Sequence, residues 1–151
     1  MIAQVFEPRD PEWETRCREG FFAQGMMTTL GAEIVALEPG RISLRAPIKP
    51  ETGQQHGFAH AGVAFSIGDT AQGFAAASLM APGRGVLTVE MKINLLAPAA
   101  GEWLIAEARV ERPGRTITAT AADVFAADSA LGNGERRRIA VMLGTMISVE
   151  G

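Results

Sequence analysis

Asp69 is the acidic residue that stands alone between Glu51 and Glu90, and it interrupts a weakly polar stretch running from His60 to Met80. An unpaired carboxylate inside such a segment costs several kcal/mol or takes up a proton, so its presence demands a partner or a task. At helical spacing Asp69 falls beside Gly62, Ser66, Gly73 and Ala76, whereas Val63, Ile67 and Phe74 form a separate stripe. The carboxylate then looks out over small residues. Glycines weaken a helix, so Gly62, Gly68 and Gly73 make most sense where a backbone or a ligand comes close. Chemistry alone leaves two readings level: a general base or nucleophile in a cleft, or a carboxylate satisfied by a neighbouring strand or subunit.

The start of the same stretch adds a second element. The amides of His60, Ala61 and Gly62, at a helix N-terminus, present positive partial charge suited to an oxyanion or a polarised carbonyl. His60 itself reads first as a capping or packing histidine, and His56 in the preceding loop is a weaker candidate. Cys17, the single cysteine, lies between Arg16 and Arg18; a half-buried helix residue is its ordinary reading and an activated thiol the lesser one. With two histidines and one cysteine, metal-ligand spacing is absent, and no cofactor is implied.

The elements that must position these residues follow from pattern. Asp10-Pro11-Glu12 is a helix start ahead of Trp13 to Gln24. Ala32 to Leu37, a Glu38-Pro39-Gly40 turn and Arg41 to Ala46 read as a hairpin. Pro50 to Ala59 is a loop, and His60 to Met80 is one buried helix that stops before Pro82-Gly83. Four strands follow, Val86 to Leu96, Trp103 to Arg112, Thr116 to Phe125 and Ile139 to Val149, separated by turns at 98–101 and Pro113-Gly114 and by a polar segment, Asp128 to Arg138. Consecutive strands joined by turns predict an antiparallel meander curling around the long helix. The class is α+β in one domain, a helical extension over 1–29 and a core over 30–149.

Composition excludes some functions. The chain has 151 residues, 47% hydrophobic and 21% charged, with a net charge of -3 and 6% aromatics. No basic field attracts nucleic acid, and no stretch is long and uncharged enough to span a membrane. The expected setting is soluble and cytoplasmic, since the N-terminal residues carry no leader pattern.

Gln54-Gln55-His56-Gly57-Phe58-Ala59-His60-Ala61-Gly62, Asp69 nine positions after His60, Leu87-Thr88-Val89, Pro98-Ala99 and Arg112-Pro113-Gly114-Arg115 together resemble the hotdog-fold acyl-CoA thioesterases of the phenylacetate-degradation type. Gln54, Gly57, His60, Gly62 and Asp69 stand at that family's spacings, with Ala61 where glycine is usual and Gln54 where many members carry asparagine. The resemblance, spanning about Leu30 to Val149, implies hydrolysis of an acyl-CoA thioester. Asp69 would act as nucleophile or general base, the Ala61 amide as oxyanion donor and Gln54 as an orienting amide. Thr88 would stand near the acid and His60 would fix the helix entry. Gly57 and Gly62 would shape the substrate path, while Arg112, Gly114 and Arg115 would meet the nucleotide end of coenzyme A.

By the same resemblance the subunits form dimers, often paired into tetramers, with each site shared between two chains; the strand from Val86 to Leu96 is the candidate for the joined edge. Arg136-Arg137-Arg138 reads as a solvated strand entrance ahead of a phosphate contact. Met26, Phe74, Met80 and Met91 read as core ahead of an acyl pocket. A non-catalytic acyl-CoA-binding module of the same fold is the alternative function, and it leaves Asp69 without a purpose.

Overall fold

The computed structural model describes residues 4–129 and 134–151. Two helices open the chain, α1 (Trp13–Phe22) and α2 (Gly25–Leu30). The second was not expected from the sequence. Six residues with two threonines carry little helical signal, and the helix exists because Met27 and Leu30 are buried in the core. The predicted hairpin is present as β1 (Glu33–Glu38) and β2 (Arg41–Pro47), and Gly40 makes its turn with a φ of 75°.

The long helix, α3 (Ala61–Ala77), is followed by β3 (Arg84–Leu95), β4 (Trp103–Arg112), β5 (Ile117–Ala127) and β6 (Arg136–Glu150). All six strands form one antiparallel sheet in the order β1-β2-β4-β5-β6-β3. The expected meander therefore holds only for β4, β5 and β6. β3 does not pair with β4; it crosses to the far side of β6, while β4 takes its place beside β2. The polar connector expected at Asp128 to Arg138 gives way to strand from Arg136, and residues 130–133 of it lie outside the described residues, as do residues 1–3.

The sheet wraps α3, which packs against β2, β3, β4, β5 and β6. Val63, Ala64, Ile67, Ala71, Phe74 and Ala75 are buried among Leu44, Leu104, Val124, Ile139 and Met142. A helix enclosed on this many sides loses the water that would otherwise satisfy its last carbonyls. Arg16 replaces it. One guanidinium nitrogen donates to the oxygens of Ala77 and Met80 at 3.2 and 3.1 Å, and the other to Arg84 at 2.9 Å and Ala81 at 3.4 Å. Its Nε stands 3.1 Å from Asp10 Oδ2, so the buried carboxylate balances the charge. Ser78, fully buried, donates to Ala75 O and accepts from the Gly40 amide, tying the same helix end to the β1–β2 turn.

β3 carries a bulge between Thr88 and Glu90. An extra residue in one strand reverses which parity faces inward, and here Val86 and Thr88 face α3 before the bulge while Met91 and Ile93 pack on the core after it. Among the described residues no helix is long and apolar enough to cross a membrane.

Cys17 is buried beneath α3, its Sγ 4.0 Å from the Phe74 carbonyl oxygen. Burial lifts the thiol from its ordinary value of 9.0 to about 11, a rise that nearby Arg16 only partly offsets. It is not an activated nucleophile. Between those values the unfolded chain releases a proton that the folded chain keeps, so this contribution is fully present below pH 9.0 and is lost as the pH rises to about 11. Urea denaturation of Cys17→Ala against the wild type is expected to show a shallower loss of stability across that interval in the variant; parallel curves would refute the assignment.

Candidate functional site

Asp69 sits half-buried on the one face of α3 that the sheet leaves open, in line with Gly62, Ser66 and Gly73. Ala76, grouped with them by spacing, is instead buried against Met80 and Met146, because β3 and β6 close over the last turn. Thr88 Oγ1 donates to Asp69 Oδ1 at 2.6 Å. This bond fixes one carboxylate oxygen, and Asp69 lines a cavity of about 310 Å³ with Gln24, Thr70, Gly73, Phe74, Val86, Leu87 and Thr88. The structure thus brings Asp69 and Thr88 together, as the resemblance implied.

The helix entry forms a second cavity of about 230 Å³, whose walls include Gln54, His60, Ala61, Leu95 and Ala99. His60 caps α3: its Nδ1 accepts the Gly62 amide at 2.8 Å. The His60 amide donates to Thr52 O at 2.9 Å, and the Val63 amide to His60 O at 2.9 Å. Of the three amides that the sequence offered as donors, those of His60 and Gly62 are consumed by the fold. Ala61 N–H alone has no acceptor among the described residues. Gln54 lines the same cavity, and its Oε1 accepts the His56 amide, which leaves Nε2 as the donor end of the carboxamide. Two donors, a backbone amide and a carboxamide, share this cavity and suit an oxygen acquiring negative charge.

The remaining predicted residues are placed unevenly. Gly57, with a φ of 82°, makes the turn that returns the loop to Ala59 and lines neither cavity. Gly62 is exposed, and a Cβ there would press on His60 Nδ1 at 3.0 Å. Gly114 and Arg115 line a third cavity, about 280 Å³, with Arg9, Met80, Ala81, Arg84, Thr116 and Ser148. Arg84 is oriented there by bonds of 2.9 Å to the hydroxyl and carbonyl of Ser148. Arg112 is exposed and outside it. Arg136, Arg137 and Arg138 are engaged with Glu107, the Pro98 carbonyl and Asp123, which makes them strand-surface pairs. Phe74 reaches the Asp69 cavity; Met26 is exposed, and Met80 and Met91 pack against the core.

Sequence reasoning missed Gln24, Arg9 and Arg84. Each lies far along the chain from the motif it joins, and only the packing of the N-terminal segment and β3 brings them in. Among the described residues no group of three or more His, Cys, Asp or Glu side chains converges in the manner of a metal site.

A long helix enclosed by a curved six-stranded antiparallel sheet, with a carboxylate on the helix and free donors at its N-terminus, is the hotdog fold of thioesterases. The chain belongs to the thioesterase superfamily, matching it over residues 56–133. A thioesterase family protein from Silicibacter pomeroyi is 43% identical and superimposes with a TM-score of 0.87 over 92% of this chain and 99% of that one. The PaaI protein from the phenylacetic acid degradation operon of Escherichia coli shares the fold, with a TM-score of 0.79 at 20% identity over 93% of this chain and 95% of that one. A candidate esterase of Halobacterium salinarum is 33% identical over 98 residues, 62% of this chain, and this chain spans 64% of that protein's length.

Two glycines of α3 test which face is open. A Cβ at Gly73 meets nothing within 4 Å, so Gly73→Ala is expected to raise stability by about 1 kcal/mol through helix propensity. At Gly68 the same atom collides with Met142 Sδ, and Gly68→Ala is expected to cost about 1–3 kcal/mol. Chemical denaturation reads both, and a loss at Gly73 would show that something else fills the space above it.

Proposed function

We propose that the protein hydrolyses an acyl-coenzyme A thioester to the free acid and coenzyme A. The observation that carries this reading is Asp69: a carboxylate on an apolar helix, held by Thr88 through one oxygen and lining an open cavity. In one route Asp69 adds to the thioester carbonyl carbon, expels the thiolate and is released when water opens the resulting anhydride. In the other it takes a proton from a water that adds to the same carbon. Both generate an oxyanion, and the Ala61 amide with Gln54 Nε2 supplies its donors. The arginine-lined cavity at Arg9, Arg84 and Arg115 suits the phosphates of coenzyme A. A cytoplasmic setting, where such thioesters are formed, accords with this substrate.

Within one protomer, however, Asp69 and Ala61 open into separate cavities. A catalytic carboxylate must share a space with its oxyanion donors, so the two halves need a second copy. β3 is the natural joint: it is a sheet edge of 12 residues, and Leu87, Val89, Leu95 and Leu96 are each more than half exposed along it and just beyond it. An edge this long and apolar invites a second strand. Antiparallel pairing of two β3 strands about a two-fold axis gives a dimer with two equivalent sites, each with Asp69 from one protomer and Gln54 with Ala61 from its partner. A dimer of such dimers is compatible with the same geometry.

Asp69→Asn is expected to lower kcat by about 100-fold or more on the acyl-CoA that the wild type hydrolyses best, with folding and oligomeric mass unchanged. No turnover by the wild type on short, medium, long or aryl acyl-CoA would reassign the protein as a binder of these thioesters. The shared site has its own check. After subunit exchange, an equimolar mixture of Asp69→Asn and Gln54→Ala is expected to recover about a quarter of the wild-type activity, because half of the dimers are mixed and each carries one intact site. Continued inactivity in a mixture shown to have exchanged would place the whole site within one chain.

A further inference from the structure

Gln24 lies in the short link between α1 and α2, outside the residues matched to the family, yet its side chain lines the cavity of Asp69. Its backbone is held on both sides: the amide donates to Phe21 O at 3.1 Å and the carbonyl accepts the Thr28 amide at 3.3 Å. Gln24 occupies the capping position of α2 but makes no side-chain capping bond, so the carboxamide is not consumed by the helix. Thr70, next to Asp69 on α3, donates its hydroxyl to Gln24 Oε1 at 3.1 Å. That bond fixes the oxygen end of the amide, and Nε2 has no acceptor among the described residues. The rest of the wall, apart from Asp69 and Thr88, is apolar or bare: Gly73, Phe74, Val86 and Leu87.

We propose that Gln24 selects the acyl group, its Nε2 donating to an oxygen carried on the acyl chain in addition to the thioester carbonyl. The substrate class is therefore a short hydroxyacyl or ketoacyl thioester. The argument is one of satisfied donors. A plain alkyl chain entering this cavity displaces water from Nε2 and offers nothing in return, whereas a hydroxyl or keto oxygen replaces the lost bond. The cavity of about 310 Å³ holds Gln24 and Asp69 together, so the oxygen belongs near the reacting carbonyl and not at the end of a long chain. Thr70 is a positioning residue here, since its hydroxyl holds the oxygen end of the amide and leaves Nε2 as the end able to donate.

This inference rests on the thioesterase reading, and the experiment separates the two. The ratio of kcat/KM for 2- and 3-hydroxybutyryl-CoA to that for butyryl-CoA is measured for the wild type, Gln24→Leu and Thr70→Val. The wild type is expected to favour at least one hydroxyacyl substrate about tenfold, the ratio to fall to near one in Gln24→Leu, and Thr70→Val to lie between. A wild-type ratio near one for both hydroxyacyl substrates, or a ratio that survives Gln24→Leu, overturns the proposal. Calorimetric titration with the corresponding non-hydrolysable thioether analogues reads the same preference as a ratio of Kd. If the wild type hydrolyses no thioester, hydrolysis is refuted while a Gln24-dependent Kd ratio still upholds the selectivity, and equal Kd values or an absence of binding overturn it as well.

Discussion

A helix enclosed by a sheet must find partners for the polar groups at both of its ends, and this protein's architecture turns on how that requirement is met. At the C-terminal end of α3 the answer is complete. Arg16 gathers four carbonyls, Asp10 neutralises the guanidinium, and Ser78 ties the last turn to Gly40. At the N-terminal end the answer is left unfinished at one atom. His60 covers Gly62, Thr52 covers His60, and the Ala61 amide is left over. The two ends of one helix thus differ in kind, one sealed for stability and the other holding an unspent donor.

The strand over the open face of α3 has a comparable division of labour. The bulge in β3 lets Thr88 face Asp69 while Met91 and Ile93, of opposite parity, still pack inward. Without the shift, a strand that presents Thr88 to the helix would turn Met91 and Ile93 to solvent. A hydrogen bond to the helix carboxylate and a buried apolar surface are obtained from one segment at the cost of one unpaired residue.

Much of this was legible in the sequence. Local pattern placed the hairpin, α3 and the bounds of β4, and the lone acid with its small neighbours pointed to the open face of α3. Gly40 marked the hairpin turn, where the backbone takes a φ of 75°. The sheet order was not legible, because turns between successive strands suggest neighbours, whereas the length of the 96–102 connection allows β4 to leave β3 and join β2. α2 escaped notice since tertiary burial of Met27 and Leu30, not propensity, holds it. The amides at the helix entry looked equivalent until their acceptors were known. Gln24 had no motif at all; its relevance comes from a hydrogen bond to Thr70 across 46 positions.

The reach of Arg16 also redefines what the smallest self-sufficient unit is. The family match begins at residue 56 and the strands at Glu33, so the first thirty residues look like a removable preface. They are closer to a keystone. A fragment beginning at Leu30 would retain every strand and the whole of α3, yet would strip the guanidinium from four carbonyls at and just beyond the end of α3 and take Phe21, Cys17 and Met27 out of the core. Any transplant of this fold into a fusion or a minimal scaffold has to carry that opening segment with it, as inseparable as the sheet.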